Sequence, residues 1–235
     1  MPGMLGGMNP IHEFQTGLTV PWGFTDPTQA VELLRIYYLS RLQDDAEKDP
    51  WYKTRASRGY VGAYFDRWKY GAQEEIEDPD ADRFTAEDIL AVQTLSVRVR
   101  GWVSVDLVER RQKCFADMLK QIPTDVDLWE RGKRAERAVT AALELEEELR
   151  CYDQVGPTTA AKLIARKRPR LYPIYDSVVV KELGLKRRLF RELRKELTEN
   201  PALRELCMQL RREAGLPASI SVLRIFDVVT WMGTR

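Results

Sequence analysis

Asp176 closes a Pro-x-x-Asp run in the stretch YDQVGPTTAAKLIARKRPRLYPIYDSVVV, residues 152–180. A carboxylate there has two distinct uses. Standing before Ser-Val-Val, it caps a helix by accepting from a leading backbone N–H. Left ionised in a cleft, it stabilises a developing cation and orients or deprotonates an attacking water. Upstream, Val155-Gly156-Pro157 makes a tight turn, and a helix starts at Thr158 or Thr159. The leading N–H groups of such a helix, with its positive dipole end, seat a phosphate. Lys162, Arg166, Lys167 and Arg168 then add cationic side chains. Read blandly, the same residues are a helix-ending glycine and a solvated basic face.

The remaining reactive residues narrow the chemistry. The one histidine, His12, stands far from this stretch, so Ser-His-Asp and Cys-His catalysis and histidine-rich metal sites are not expected. Cys114, Cys151 and Cys207 are widely spaced and form no CxxC pair. They are expected as reduced, buried thiols, with no metal and no cofactor. Catalysis must rest on carboxylates, lysine, tyrosine or hydroxyls.

The elements that position these residues read as helices almost throughout. DPTQAVELLRIYYLSRLQ carries Asp26 or Thr28 as its cap, and Val31, Leu34, Ile36, Tyr38 and Leu42 along a helical face. TAEDILAVQTLSVRV opens on the capping pair Thr85 and Asp88. SVDLVERRQKCFADMLKQI keeps the same period up to Pro123, and DVDLWERGKRAERAVTAALELEEELR is a long charged helix interrupted at Gly132. DSVVVKELGL, RRLFRELRKELTEN and PALRELCMQLRREAG follow, parted by Gly184 and Pro201, and SISVLRIFDVVTWMG is a core helix. Residues 49–71, rich in aromatics, predict a loop and then a short helix or strand. The expected architecture is all-α, with about eight to ten helices. Residues 1–24 are expected as a loose tail, and 25–235 as one domain.

Leu149 and Tyr152 end one helix and Thr158 begins the next, so the stretch is an αα-hairpin with glycine in its turn. Here the sequence resembles the helix-hairpin-helix superfamily of DNA glycosylases. Their signature is a hairpin L-P-G-V-G-x-x-T-A followed by Pro-x-x-Asp at the head of a later helix. Asp176 follows Gly156 at the interval which that signature also uses. The segment ARKRPRLYPIYDSVV is also similar to one in a bacterial family of unknown function that stands beside the glycosylases. The resemblance covers about residues 128–184. It implies a helix-hairpin-helix glycosylase-like fold and a monofunctional N-glycosyl hydrolase acting on a damaged or modified base of double-stranded DNA. It nominates Asp176 as the catalytic carboxylate, and Gln154, Val155, Gly156, Thr158 and Thr159 as the turn that holds DNA phosphate. Lys162, Arg166, Lys167 and Arg168 would assist the turn. Tyr64, Trp68 and Tyr175, with Tyr60 and Phe65 nearby, are the aromatic groups available for a base pocket.

Three departures stand out. Gln154 replaces the first glycine of the hairpin, and if that position needs φ > 0 the glutamine carries a steric cost. Thr158 occupies the position of the lysine in the bifunctional lyases, and nothing repeats the cysteine cluster of the iron–sulfur members. A non-catalytic DNA-binding module and a helical scaffold for a protein partner are the other readings.

Charge is uneven. Residues 150–235 hold 18 Lys+Arg against 9 Asp+Glu, and the rest 19 against 27, within a net charge of +1. Such asymmetry points to a polyanionic partner for the basic part. No apolar run reaches the roughly 18 residues of a membrane span, and residues 1–24 carry no secretory pattern. A cytoplasmic monomer is expected. A Schiff-base lyase step requires an amine at the anomeric carbon, so any abasic product should need alkali or a second enzyme for strand scission. A borohydride-trapped protein–DNA adduct would overturn that expectation.

Overall fold

Several helices begin where the sequence supplies a side-chain cap. The Asp88 N–H donates to Thr85 Oγ1 at 3.3 Å and the Thr85 N–H donates to Asp88 Oδ2 at 3.0 Å, a reciprocal capping box. Asn200 accepts from Leu203 N–H at 3.1 Å and Ser221 from Arg224 N–H at 3.2 Å. Of the two caps considered near position 27, Asp26 does the work, accepting from Gln29 N–H at 3.1 Å.

The computed structural model describes residues 8–38, 60–67, 78–185 and 189–235. Among them run twelve α-helices. They are α1 (Trp22–Thr25), α2 (Pro27–Tyr38), α3 (Tyr64–Arg67), α4 (Ala86–Gln93), α5 (Gly101–Val105) and α6 (Gln112–Lys120). Then come α7 (Lys133–Arg150), α8 (Pro157–Lys167), α9 (Ser177–Glu182), α10 (Leu189–Glu199), α11 (Pro201–Glu213) and α12 (Val222–Met232). A 3-10 turn (Val61–Ala63) leads into α3, and a π-type turn (Asp106–Arg110) joins α5 to α6. The described residues form no strand, so the fold is all-α. The helices outnumber the expectation because α1, α3 and α5 are only four or five residues long, too short to leave a periodic pattern.

Two boundaries differ from the sequence reading. The helix from Thr85 stops at Gln93, Ser96 turns left-handed at φ 62, and the chain runs on without helix to Arg100. Gly132, at φ 104, starts α7 rather than joining two helices. The short helix expected within 49–71 is α3, and the rest of that stretch lies largely outside the described residues.

Nearly all of α12 is buried, and it packs against α1, α2, α9 and α11. Phe226 of α12 stacks on Phe24 with ring centroids 5.2 Å apart and meets Phe14 at 6.3 Å. Residues 11–24 are therefore no loose tail: Ile11, Phe14 and Phe24 are core residues. Glu196 fixes the segment by accepting from Gln15 N–H (3.1 Å), Thr16 N–H (2.8 Å) and Thr16 Oγ1 (2.7 Å). Apolar rings placed ten residues apart close this segment over α12, a contact that local composition does not announce.

The hairpin of α7 and α8 packs on α4 through α8, and the basic residues make that joint. Arg166 Nε donates to Asp88 Oδ1 at 3.0 Å, and Lys167 Nζ to Asp88 Oδ2 at 2.9 Å. Arg168 donates to the carbonyls of Ala81 (2.7 Å), Leu119 (2.6 Å) and Ile122, and to Asp82 at 2.6 Å. Lys167 and Arg168 are 4% and 1% exposed, and Lys162 is buried as well. The expectation of an outward basic face is corrected here for Lys162, Lys167 and Arg168. Arg166 is likewise largely enclosed, its side chain 10% exposed. The charges of Arg166, Lys167 and Arg168 are matched by acids from the 78–88 segment and that of Lys162 by Asp176, so none is left for solvent phosphate.

A buried charge that loses its partner is strongly destabilising. Asp88→Ala removes the carboxylate of Arg166 and the nearer of the two beside Lys167, leaving Asp78 at 3.5 Å, so it should cost about 3 kcal/mol, read as a fall in the urea midpoint. A loss below ~1 kcal/mol, the level of exposed pairs, would show that solvent replaces the contact.

Candidate functional site

The turn between α7 and α8 is built on one strained residue. Gln154 sits at φ 73, in the left-handed region that favours glycine. The conditional cost noted for Gln154 is therefore real, and the glutamine adopts the conformation a glycine would take freely. Val155 tucks inward, its N–H donating to Tyr152 O at 3.1 Å. Gly156 precedes α8 at φ −81 and ψ 175, with Pro157 as the first helical residue. Neither that φ nor any neighbour demands glycine, because a Cβ there would meet nothing within 4 Å. No side chain caps α8, Gly156 and Pro157 are exposed, Thr158 is half-buried and Thr159 buried. The turn thus offers backbone to solvent at Gln154, Gly156 and Pro157.

Asp176 stands at the head of α9. Its Oδ1 accepts from Val178 N–H at 2.9 Å, and its Oδ2 lies 3.7 Å from Lys162 Nζ. The Asp176 side chain keeps 25% of its exposure, against 4% for Lys162. Lys162 also donates to Leu95 O at 2.7 Å. Burial pulls the Lys162 ammonium below its ordinary pKa, and Asp176 and Asp227 pull it back up. The helix-cap reading and the ionised-carboxylate reading of Asp176 therefore use different oxygens of one side chain.

Behind this pair lies a polar network that sequence reasoning missed. Arg224 of α12 donates through Nε to both oxygens of Asp66 at 2.9 Å and through Nη1 to Asp227. Tyr38 donates to Asp66 at 2.9 Å. The Arg224 guanidinium also lies 5.2 Å from the Phe65 ring centroid. Burial pushes the Tyr37 phenol up to about 12, with Arg224 opposing. Burial also pushes Asp227 up to about 6. Arg224 and Lys162 resist that shift, while Asp176 and Asp66 add to it. Asp227 thus belongs to the same electrostatic site as Asp176 and Lys162. One signal was available: Arg224 and Asp227 are the charged residues inside the otherwise uncharged SISVLRIFDVVTWMG.

A cavity of about 610 Å³ opens beside the hairpin, walled by Glu146 and Arg150 of α7, Pro157 of α8, Tyr172, Tyr175 and Phe190. Tyr172 donates to Glu146 Oε2 at 2.5 Å. Asp176 is not among the lining residues. Its own backbone is extended at φ −122 and ψ 135, a geometry that sends neighbouring side chains to opposite sides. The three aromatics considered for a base pocket are not brought together. Tyr175 lines the cavity, Tyr64 is exposed on α3, and Trp68 lies outside the described residues. Tyr60 stacks on Tyr37 at 5.6 Å and Phe65 is buried.

Cys207 is buried, but Cys114 and Cys151 are exposed, which corrects the expectation of three buried thiols. Cys114 lies on the solvent side of α6, and Cys151 caps the C-terminus of α7. Among the described residues no cluster of three or more His, Cys, Asp or Glu is arranged to hold a metal, and no helix is long and apolar enough to cross a membrane.

The chain is thus an all-α protein with a hairpin beside a buried charge network. It belongs to the family of unknown function DUF6308, whose model matches residues 30–234. No curated protein and no solved structure matches it significantly.

Folded Asp227 keeps its proton up to about pH 6, whereas an unfolded aspartate releases it near about 3.9. The stability it contributes is full below about pH 4 and is lost as pH rises through about 6. Urea midpoints of wild type should therefore fall relative to Asp227→Asn between those values. A difference that stays flat across that window would remove Asp227 from the network.

Proposed function

We propose that the protein is a DNA glycosylase-like hydrolase with the helix-hairpin-helix arrangement of that superfamily. It holds duplex DNA through the α7–α8 turn and hydrolyses the N-glycosidic bond of a damaged or modified base. The observation that carries this reading is Asp176, whose Oδ1 caps α9 while Oδ2 stays partly exposed beside Lys162. Its place after the hairpin is the one the superfamily's signature requires. The left-handed Gln154 and the unobstructed Gly156 support the same reading of the turn.

In such a reaction the base departs with the electron pair of the glycosidic bond, and the sugar becomes oxocarbenium-like at its anomeric carbon. The Asp176 carboxylate faces that positive charge and takes a proton from the water that adds to the carbon. Lys162 fixes the carboxylate's orientation from the buried side. Phosphate binding rests on the backbone of Gln154, Gly156, Thr158 and Thr159, with Val155 holding the turn through its own N–H bond to Tyr152, because the cations at 162 and 166–168 are committed within the fold. Such contacts fix register and not sequence.

One observation favours a second reading, a DNA-binding module without catalysis: Asp176 does not line the cavity, and each of its oxygens has a partner within the chain.

Asp176→Asn separates the two. Asparagine caps about as well as aspartate, so the variant loses charge and little else. A carboxylate that acts on a cationic transition state contributes far more to that state than to bound DNA. Base excision on duplexes carrying alkylated, deaminated, oxidised or bulky bases should fall by about 100-fold or more, with duplex affinity equal or higher. If wild type excises nothing but binds duplex, the binding module stands. If both variants excise equally, Asp176 is only a cap.

A further inference from the structure

Trp102 is 75% exposed, the most open large apolar side chain among the described residues. It lies on α5 just after an extended run, Val97–Arg100, in which Val99 is buried while Arg98 and Arg100 point to solvent. Period-two alternation drives this: inward valines anchor the run and both arginines are left outside. Among the described residues neither Arg98 nor Arg100 has a hydrogen-bond or ion-pair partner for its guanidinium. Arg110 lies 5.9 Å from the Trp102 ring centroid. Lys113 is exposed as well, and Glu109 is the exposed acid on this stretch.

The patch is held rigidly against the hairpin. Asp106, one helical turn beyond Trp102, accepts from Tyr152 OH at 3.0 Å. Arg111 donates to that same Tyr152 oxygen at 3.1 Å and to Glu148 at 2.6 Å. These bonds fasten the α5–π-turn segment to the end of α7, where the turn containing Gln154 and Gly156 begins. Trp102 therefore stands on a segment that is fastened to the end of α7.

We propose that Trp102, Arg98, Arg100 and Arg110 form a binding surface for single-stranded nucleic acid, an unpaired base stacking on the indole and the arginines holding the flanking phosphates. Charge chooses the partner: Arg110, 3.6 Å from Asp106, lies over the exposed indole, and the unpartnered Arg98 and Arg100 stand in the run just before it, so the patch complements a polyanion. The indole chooses the single strand, since every base has a π-face but a duplex keeps those faces covered. The inference rests on the nucleic-acid part of the proposed function and not on catalysis by Asp176. It also supplies the solvent-facing cations that α8 does not.

The test is fluorescence anisotropy of the full chain with an end-labelled single strand of about 15 nucleotides, long enough for such a site, and with the matching duplex. Trp102→Ala should weaken single-strand binding by about tenfold or more, and Trp102→Phe should keep most of it. Arg98→Glu with Arg100→Glu should weaken binding and flatten its salt dependence. The thermal midpoint of Trp102→Ala should match wild type, which excludes misfolding. If wild type and Trp102→Ala bind the strand equally, the inference is wrong, whatever happens to excision. If Trp102 matters for binding but no base is excised, the inference stands and the glycosylase reading falls. Binding to neither nucleic acid overturns both.

Discussion

Asp88 is the carboxylate on which the placement of the hairpin depends. It is the third residue of α4, where its side chain completes a capping box, and it simultaneously receives Arg166 and Lys167 from α8. One buried side chain thus ends one helix correctly and locks another against it. Charges so deeply enclosed are tolerable only when each has a partner, so the relative position of α4 and α8 has little freedom. Arg168 extends the same constraint to the carbonyls of Ala81, Leu119 and Ile122, joining two further chain segments to the hairpin's second helix.

Arg224 plays the corresponding part on the other side. It takes Asp66 and Asp227 and stands against the rings of Tyr37 and Phe65, so α2, α3 and α12 converge on one guanidinium. Lys162 and Asp176 join this group electrostatically. The arrangement gives Asp176 an environment unlike that of a surface cap. One oxygen is fixed by backbone, a buried ammonium sits behind the other, and a second carboxyl close by titrates at about 6.

Local features were legible in the sequence, and pairings were not. Thr85, Asp88 and Asp176 mark helix starts by chemistry confined to a few residues, and each is found where it was read, whereas α8 starts already at Pro157 and Gly132 starts a helix where an interruption was read. The strain at Gln154 was legible for the same reason. The direction of Lys167 and Arg168 was not, because it depends on Asp78, Asp82 and Asp88, about 80 or 90 residues upstream, and Lys162 turns instead to Leu95 O and Asp176. Basic residues at helical spacing look alike whether water or a distant aspartate answers them. The same limit hid Asp66 and Asp227, and it hid the docking of residues 11–24, whose rings match partners on the last helix.

That docking has a bearing on how the chain acquires its structure. Gln15 and Thr16 are held by a residue about 180 positions later, and Phe14 and Phe24 close on Phe226. During synthesis these rings emerge early and wait, exposed, until α12 has left the ribosome. Such distant closures slow folding and leave apolar surface open to misassociation meanwhile. The segment that reads as a loose tail can complete its part of the core only once α12 has been made, and its rings stay open to wrong partners until then.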